Sequence, residues 1–192
     1  MHEVGNTTRT RMDCKNMTLE IIPQSESMTF RLRSYSLKKL KIKARDERIS
    51  VNTLMNQIIL DYVEWDMTAI SAGWMVMSKI DVKSILDHLS EEEIEKSAKE
   101  VADYTSDIRL LMFDRDDFEG FLTLLRLRSK KSGFAYKESN INGDVRVIIQ
   151  HDMGIKWSLR TKHILQNILY KMKKNPKITV TPNMVVLTVE SE

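Results

Sequence analysis

From residue 27 onward the chain switches between two hydrophobic periods. Met28-Thr-Phe-Arg-Leu alternates apolar and polar residues at period two, the pattern of a short half-buried strand. Its apolar face holds Met28, Phe30 and Leu32, and its polar face holds Ser27, Thr29, Arg31 and Arg33. Helical spacing then takes over at Leu37, Leu40 and Ala44, with Ser34 or Ser36 as candidate caps. Ser50 predicts the cap of a second helix, whose stripe of Leu54, Met55, Ile58, Ile59 and Tyr62 ends near Trp65. Residues 1–26 hold no sustained period and read as a flexible arm, with a short strand expected at Leu19–Ile22 before Pro23.

Beyond Trp65 the pattern changes. Residues 66–78 are uncharged after Asp66 and rich in Met and small side chains, suiting a hinge or a continuation of the helix. Ile80, Ile85, Leu86 and Leu89 predict a short helix, and Ser90 with Glu93 forms a capping box for another, to about Tyr104. The apolar run Ile108–Phe113 reads as a strand. Asp114 is the expected cap of a helix carrying Phe118, Phe121, Leu122 and Leu125, stopped at Gly133. Asn142-Gly143 marks a tight hairpin between Ala135–Ile141 and Val145–His151. A helix from about Gly154 to Lys174 and a second hairpin, Ile178–Thr181 with Met184–Val189, close the chain. The order strand, helix, hairpin, helix, hairpin predicts an α+β domain, a sheet with helices on one face.

Composition narrows the class. The 192 residues are 42% hydrophobic with only 6 Gly and 3 Pro, enough apolar content for a packed core and unlike a low-complexity chain. No run reaches the roughly 20 apolar residues of a membrane span, and the start lacks a signal-peptide layout. The single cysteine, Cys14, excludes an intramolecular disulfide framework and fits a reducing, cytoplasmic setting. Charge is unevenly placed: Ser27–Arg48 is net +6, Lys79–Glu119 net −7, and Gly120–Glu192 net +8. Such asymmetry suggests that one part faces a polyanion.

The first basic block is where the pattern meets a chemistry. A strand and two helices in about 40 residues cannot bury enough surface to fold alone. Pairing the strand with its copy in a second chain covers Met28, Phe30 and Leu32 over a shared helical core. The outer face of that ribbon then presents Ser27, Thr29 and Arg31 twice, and a two-stranded ribbon fits the major groove of B-DNA. Arg can grip guanine O6 and N7, and the hydroxyls suit base edges. The free N–H groups at Ser50, Val51 and Asn52 suit a phosphate.

The segments Met28-Thr-Phe-Arg-Leu-Arg-Ser-Tyr-Ser-Leu-Lys-Lys-Leu and Ile49-Ser-Val-Asn-Thr-Leu-Met-Asn-Gln-Ile-Ile-Leu-Asp-Tyr resemble the ribbon-helix-helix family of DNA-binding proteins (the Arc/MetJ/CopG type), over about residues 27–65. The resemblance implies an intertwined homodimer with its ribbon in the major groove of double-stranded DNA. It implies base contacts from Ser27, Thr29 and Arg31, and phosphate contacts from Arg33, Ser50, Val51 and Asn52. One departure stands out: family members often carry Gly in the turn between the helices, where this chain has Arg48. A left-handed Arg there costs about 1 kcal/mol, or the turn differs. The C-terminal part is similar to uncharacterised archaeal proteins, a likeness that brings no function with it.

The C-terminal part offers weaker chemistry. Ile148–Ser158 passes from a strand end into a helix start, where His151, Asp152, Lys156 and Trp157 form a candidate ligand site; Asp152 as a helix cap and Trp157 as core is the plainer expectation. The other histidines, His2, His88 and His163, have no ligand-pair spacing, so no metal is expected. Asp114, Asp116 and Asp117 read as capping acids. The basic residues of the last long helix, Lys156, Arg160, Lys162, Lys171, Lys173 and Lys174, read as a solvated face. Phosphate loops, nucleophile elbows and paired catalytic carboxylates are missing from the sequence, so neither enzyme nor cofactor is expected.

The expected organisation is an arm (1–26), a ribbon-helix-helix domain (27–66), a linker (67–78) and a C-terminal α+β domain (79–192) for sensing or assembly. The expected function is a sequence-specific transcriptional regulator, a dimer or dimer of dimers, with a small-molecule or protein effector at the C-terminal domain. The alternative is an antitoxin-like protein whose C-terminal domain clamps a partner protein. A third class, an enzyme merely dimerised by its N-terminal module, has no constellation to support it.

Overall fold

A computed structural model of the chain describes residues 26–190. The expected arm, with its strand at Leu19–Ile22, Cys14 and His2, lies outside the described residues except for Glu26. The fold is mixed α and β, with a four-stranded antiparallel sheet.

Residues 26–33 carry no strand pairing. A strand is held by the ladder of a neighbour, and among the described residues none pairs with this segment. Helix α1 (Ser34–Asp46) follows directly. Arg33 occupies its N-cap position without a side-chain cap, so neither Ser34 nor Ser36 caps it. The helix ends in a Schellman motif: Arg48 N–H donates to Arg45 O at 3.0 Å and Ile49 N–H to Ala44 O at 2.9 Å, with Arg48 left-handed at φ 57°. The chain therefore keeps the tight turn that usually calls for Gly, at the expense of strain in Arg48.

Helix α2 (Val51–Asp61) is capped by Ser50, whose Oγ accepts from Thr53 N–H at 3.0 Å. It does not stop near Trp65. It widens into a π-helical turn over Tyr62–Asp66 and continues as α3 (Met67–Ala69). A second Schellman motif then turns the chain. Gly73, at φ 85°, supplies its left-handed residue, and Trp74 N–H donates to Ala69 O at 2.9 Å.

The remaining helices are α4 (Lys79–His88), α5 (Glu91–Phe113), α6 (Phe118–Lys131) and α7 (Ile155–Lys171). The capping box of α5 forms as expected, with Ser90 N–H donating to Glu93 at 2.7 Å and Glu93 N–H to Ser90 at 3.2 Å. Two expectations are corrected here. Ile108–Phe113 is the last turns of α5, not a strand: nothing between Tyr104 and Asp114 breaks a helix, and a six-residue apolar run has no period of its own. Asp114 ends α5 as a left-handed residue at φ 54° instead of starting the next helix. Asp117 caps α6, accepting from Gly120 N–H at 2.7 Å.

Hairpins β1 (Ala135–Ile141) with β2 (Asp144–Gln150) and β3 (Pro176–Thr181) with β4 (Met184–Val189) join through β2 and β4, giving the order β1-β2-β4-β3. The true order of the C-terminal part is three helices, hairpin, helix, hairpin. Alternation sets the faces: Val147, Ile149, Val185, Leu187 and Val189 are buried on one side, packed with Phe121, Leu165 and Leu169 of the helices. At about 25 cal/mol per Å² of apolar surface removed from water, each such side chain contributes about 1.5–3 kcal/mol.

A smaller cluster unites Trp65 and Ala69 with Leu124 and Leu127 of α6. Lys131 pairs with Asp66 at 2.7 Å, and Lys130 pairs with Asp61. The helical segment that leaves α2 is thus seated on the C-terminal helices. Among the described residues no helix is long and apolar enough to cross a membrane.

Candidate functional site

The residues expected to read DNA lie in one exposed stretch. Ser27, Thr29, Arg31 and Arg33 are all solvent-exposed, and so are Ser50 and Asn52, with Val51 half-buried. Their apolar neighbours are equally bare. Met28 is 78% exposed, Phe30 51% and Leu32 40%. Ile42, Ile58, Ile59, Leu60, Tyr62 and Val63 of the helices that follow are exposed as well, while Ala44 and Leu54 are buried. Isolated exposed apolar residues are ordinary, but this many within 36 residues form a surface that water does not favour.

The start of α2 presents free N–H groups at Val51 and Asn52, since Ser50 Oγ satisfies only Thr53. On α1, Lys43 pairs with Glu47 at 2.8 Å, a hydrogen bond that raises the Lys43 pKa, and Lys39 sits 4.7 Å from the Tyr35 ring centroid. Lys38, Lys41 and Arg45 remain exposed on the same helix.

The four residues singled out between His151 and Trp157 do not converge on an open site. His151 is buried, with its ring 4.3 Å from that of Trp157 and 5.9 Å from that of Phe134. Asp152 faces outward and pairs with Lys79 at 2.8 Å, a bond that lowers its pKa. It does not cap α7; Gly154 holds that position. Lys156 Nζ donates to Asp87 O at 2.8 Å and Leu89 O at 2.6 Å, closing the C-terminal end of α4. Trp157 belongs to the main core, as the plainer expectation had it.

His151 does meet one partner that its sequence context does not announce. Its Nε2 lies 2.9 Å from Ser158 Oγ, and Ser158 is wholly buried. A Ser–His contact suggests nucleophilic catalysis, but the hydrogen bonds run the wrong way. Met153 N–H donates to Nδ1 at 3.1 Å, which places the ring proton on Nε2. Nε2–H therefore donates to Ser158, and Ser158 donates to Thr181 O at 2.7 Å. A general base needs a free lone pair on the nitrogen facing the hydroxyl, and here that nitrogen is protonated. Burial also lowers the His151 pKa, followed by opposing effects of Asp152, which raises it, and Lys79, which lowers it. The contact staples β2, α7 and the β3–β4 turn together. Its one sequence signal is a serine set among Trp157, Thr161 and Leu165 on the apolar side of α7.

The acids before α6 divide in the same way. Asp116 pairs with the buried Arg109 and accepts from Ser106, contacts that lower its pKa, the Ser106 bond most. The basic residues of α7 are also partly engaged: Lys171 pairs with Asp103, and Arg160 and Lys162 are half-buried. Among the described residues no group of His, Cys, Asp and Glu side chains could hold a metal ion. A scan against protein-family models, a search of curated proteins and a search of solved structures each return no match.

Proposed function

We propose that the protein is a sequence-specific DNA-binding regulator of transcription that acts as a homodimer through residues 27–65. The observation that carries this reading is the exposure of Met28, Phe30 and Leu32 on alternate positions ahead of two helices with bare apolar faces. A second copy, paired strand to strand, would cover those faces and turn Ser27, Thr29 and Arg31 outward together. The Schellman turn at Arg48 and the cap at Ser50 support it, because they join the two helices through only four residues with the second N-terminus free for phosphate. The net +6 of Ser27–Arg48 suits the same polyanion.

In this reading Arg31 reads guanine, Thr29 and Ser27 contact base edges, and Arg33 with the Ser50–Asn52 turn anchors the backbone. The C-terminal part, joined through Trp65 and Ala69, sets how dimers sit on neighbouring half-sites. The antitoxin-like alternative is favoured by one observation: Ile70, Met75, Val76 and Ile80 form an exposed apolar run outside the proposed dimer surface, suited to a protein partner.

Selection from a random double-stranded DNA pool tests the proposal. The expected result is an enriched short repeat, bound with an affinity that falls steeply with salt. Arg31→Ala then loses about 1–3 kcal/mol on that site and relaxes one base position. No retention at low salt would overturn the reading, and co-purification of a second polypeptide in its place would favour the alternative.

A further inference from the structure

A cavity opens where α5, α6 and α7 meet and Trp74 closes one side. It has a volume of about 50 Å³ and opens to solvent through a mouth. Its walls are apolar, with Ile108 from α5, Leu124 from α6 and Ile168 from α7. One cation lies among them. The guanidinium carbon of Arg128 stands 5.3 Å from the Trp74 ring centroid.

Arg128 is half-buried and lines the cavity, and among the described residues no carboxylate pairs with it. Its charged neighbour is of the same sign: Arg160, itself half-buried, adds to the burial that pushes the Arg128 pKa down to about 10. The group stays charged at neutral pH. The indole face offsets part of the desolvation, but an uncompensated cation remains at the edge of an apolar hole. The Trp74 Nε1–H is also buried without an acceptor. An apolar pocket with one fixed charge selects a ligand that is apolar along its length and carries the opposite charge at one end.

We propose that this cavity is a binding site for a small monocarboxylic acid, its carboxylate on Arg128 and its apolar tail between α5, α6 and α7. A dicarboxylate with its second charge at the far end of the chain would carry it onto apolar walls. A neutral ligand would leave Arg128 as it is. No residue of 27–65 lines the cavity, and ligand binding there is tested without DNA.

Calorimetric titration of the full chain with sodium hexanoate, hexan-1-ol and hexylamine tests it. The expected result is one hexanoate bound per chain, at least about tenfold tighter than the alcohol, with no binding of the amine. Arg128→Met reduces the acid to the level of the alcohol. Thr105→Leu, which fills part of the cavity and leaves Arg128 in place, weakens acid and alcohol alike. Because Trp74 packs on Trp65, with ring centroids 5.1 Å apart, binding is also expected to change tryptophan emission. Equal affinity for acid and alcohol, or hexanoate binding unchanged by both substitutions, would overturn the proposal. So would no binding at millimolar hexanoate, and the ligand series discriminates even if Arg128→Met does not fold.

Discussion

Ser158→Ala isolates the buried relay between β2 and α7. The wild-type hydroxyl accepts from His151 Nε2 at 2.9 Å and donates to Thr181 O at 2.7 Å, in a residue with no solvent exposure. Removing the oxygen barely changes volume, so the cavity contribution is small. What remains is a buried imidazole N–H without an acceptor, which costs about 1–3 kcal/mol. The Thr181 carbonyl is less enclosed and recovers water, adding about 0.5 kcal/mol. The expected loss is therefore about 1.5–3.5 kcal/mol. With a urea slope of about 2 kcal/mol per M, the unfolding midpoint falls by about 1 M. The double variant Ser158→Ala, His151→Phe is expected to lose less than the sum of the single changes, because one relay is broken twice. A fluorophosphonate probe is expected to leave Ser158 unlabelled in the folded protein. A loss below about 0.5 kcal/mol, or labelling of Ser158, would refute the assignment of this pair to structure.

Four further outcomes follow from the same geometry. Burial holds the His151 pKa below its ordinary 6.5, so the unfolded chain binds a proton first, and the stability this neutral ring confers is complete above that pH and declines as pH falls below it. Urea titrations at pH 7.5 and 5.5 measure that slope, which His151→Phe is expected to flatten. Arg48→Gly is expected to raise stability by about 0.5 kcal/mol: relief of left-handed strain, about 1–2 kcal/mol, exceeds the entropy Gly adds to the unfolded chain, about 0.5–1 kcal/mol. A measured loss would refute the Schellman turn. Asp116→Ala leaves Arg109 buried without its carboxylate and is expected to cost about 2–3 kcal/mol, whereas Arg109→Met, which removes the buried charge itself, is expected to be near neutral. Leu187→Ala, in a side chain 1% exposed, is expected to lower stability by about 2–5 kcal/mol in the same assay.

What could be read from the sequence was local chemistry. Ser50, the Ser90–Glu93 box and Asn142-Gly143 each act within four residues, so their geometry follows from the residues alone. The two hairpins, Ala135–Ile141 with Val145–His151 and Ile178–Thr181 with Met184–Val189, were legible for the same reason. Ile108–Phe113 was misread because a short apolar run has no intrinsic period, and its helical state follows from the unbroken turns upstream. The caps around Asp114 and Asp117 differ only in a backbone angle that no side chain announces. The His151–Ser158 relay and the Arg128–Trp74 contact were illegible for a different reason. Each joins residues from separate elements, and only the packing of β2 on α7, or of the Gly73 turn on α6, makes them neighbours.

The continuous helical rod from Val51 to Ala69 has a consequence for how far apart things happen. At about 1.5 Å per residue it extends roughly 28 Å. One end carries the Ser50 cap, and the other is seated between α5 and α6 by Trp65 and Ala69. Such a rod works as a ruler, not a tether. In a dimer, two rulers starting from one ribbon would hold their C-terminal bodies at a set separation, which no amount of added linker slack in the arm would alter. The π-helical stretch at Tyr62–Asp66 sets the rotational phase between the two ends of that ruler: rewinding it to α-helical pitch would turn one end against the other. Severing the chain at residue 66 would leave Trp65 and Leu124 bare on opposite fragments, so each half depends on the other to cover its apolar surface.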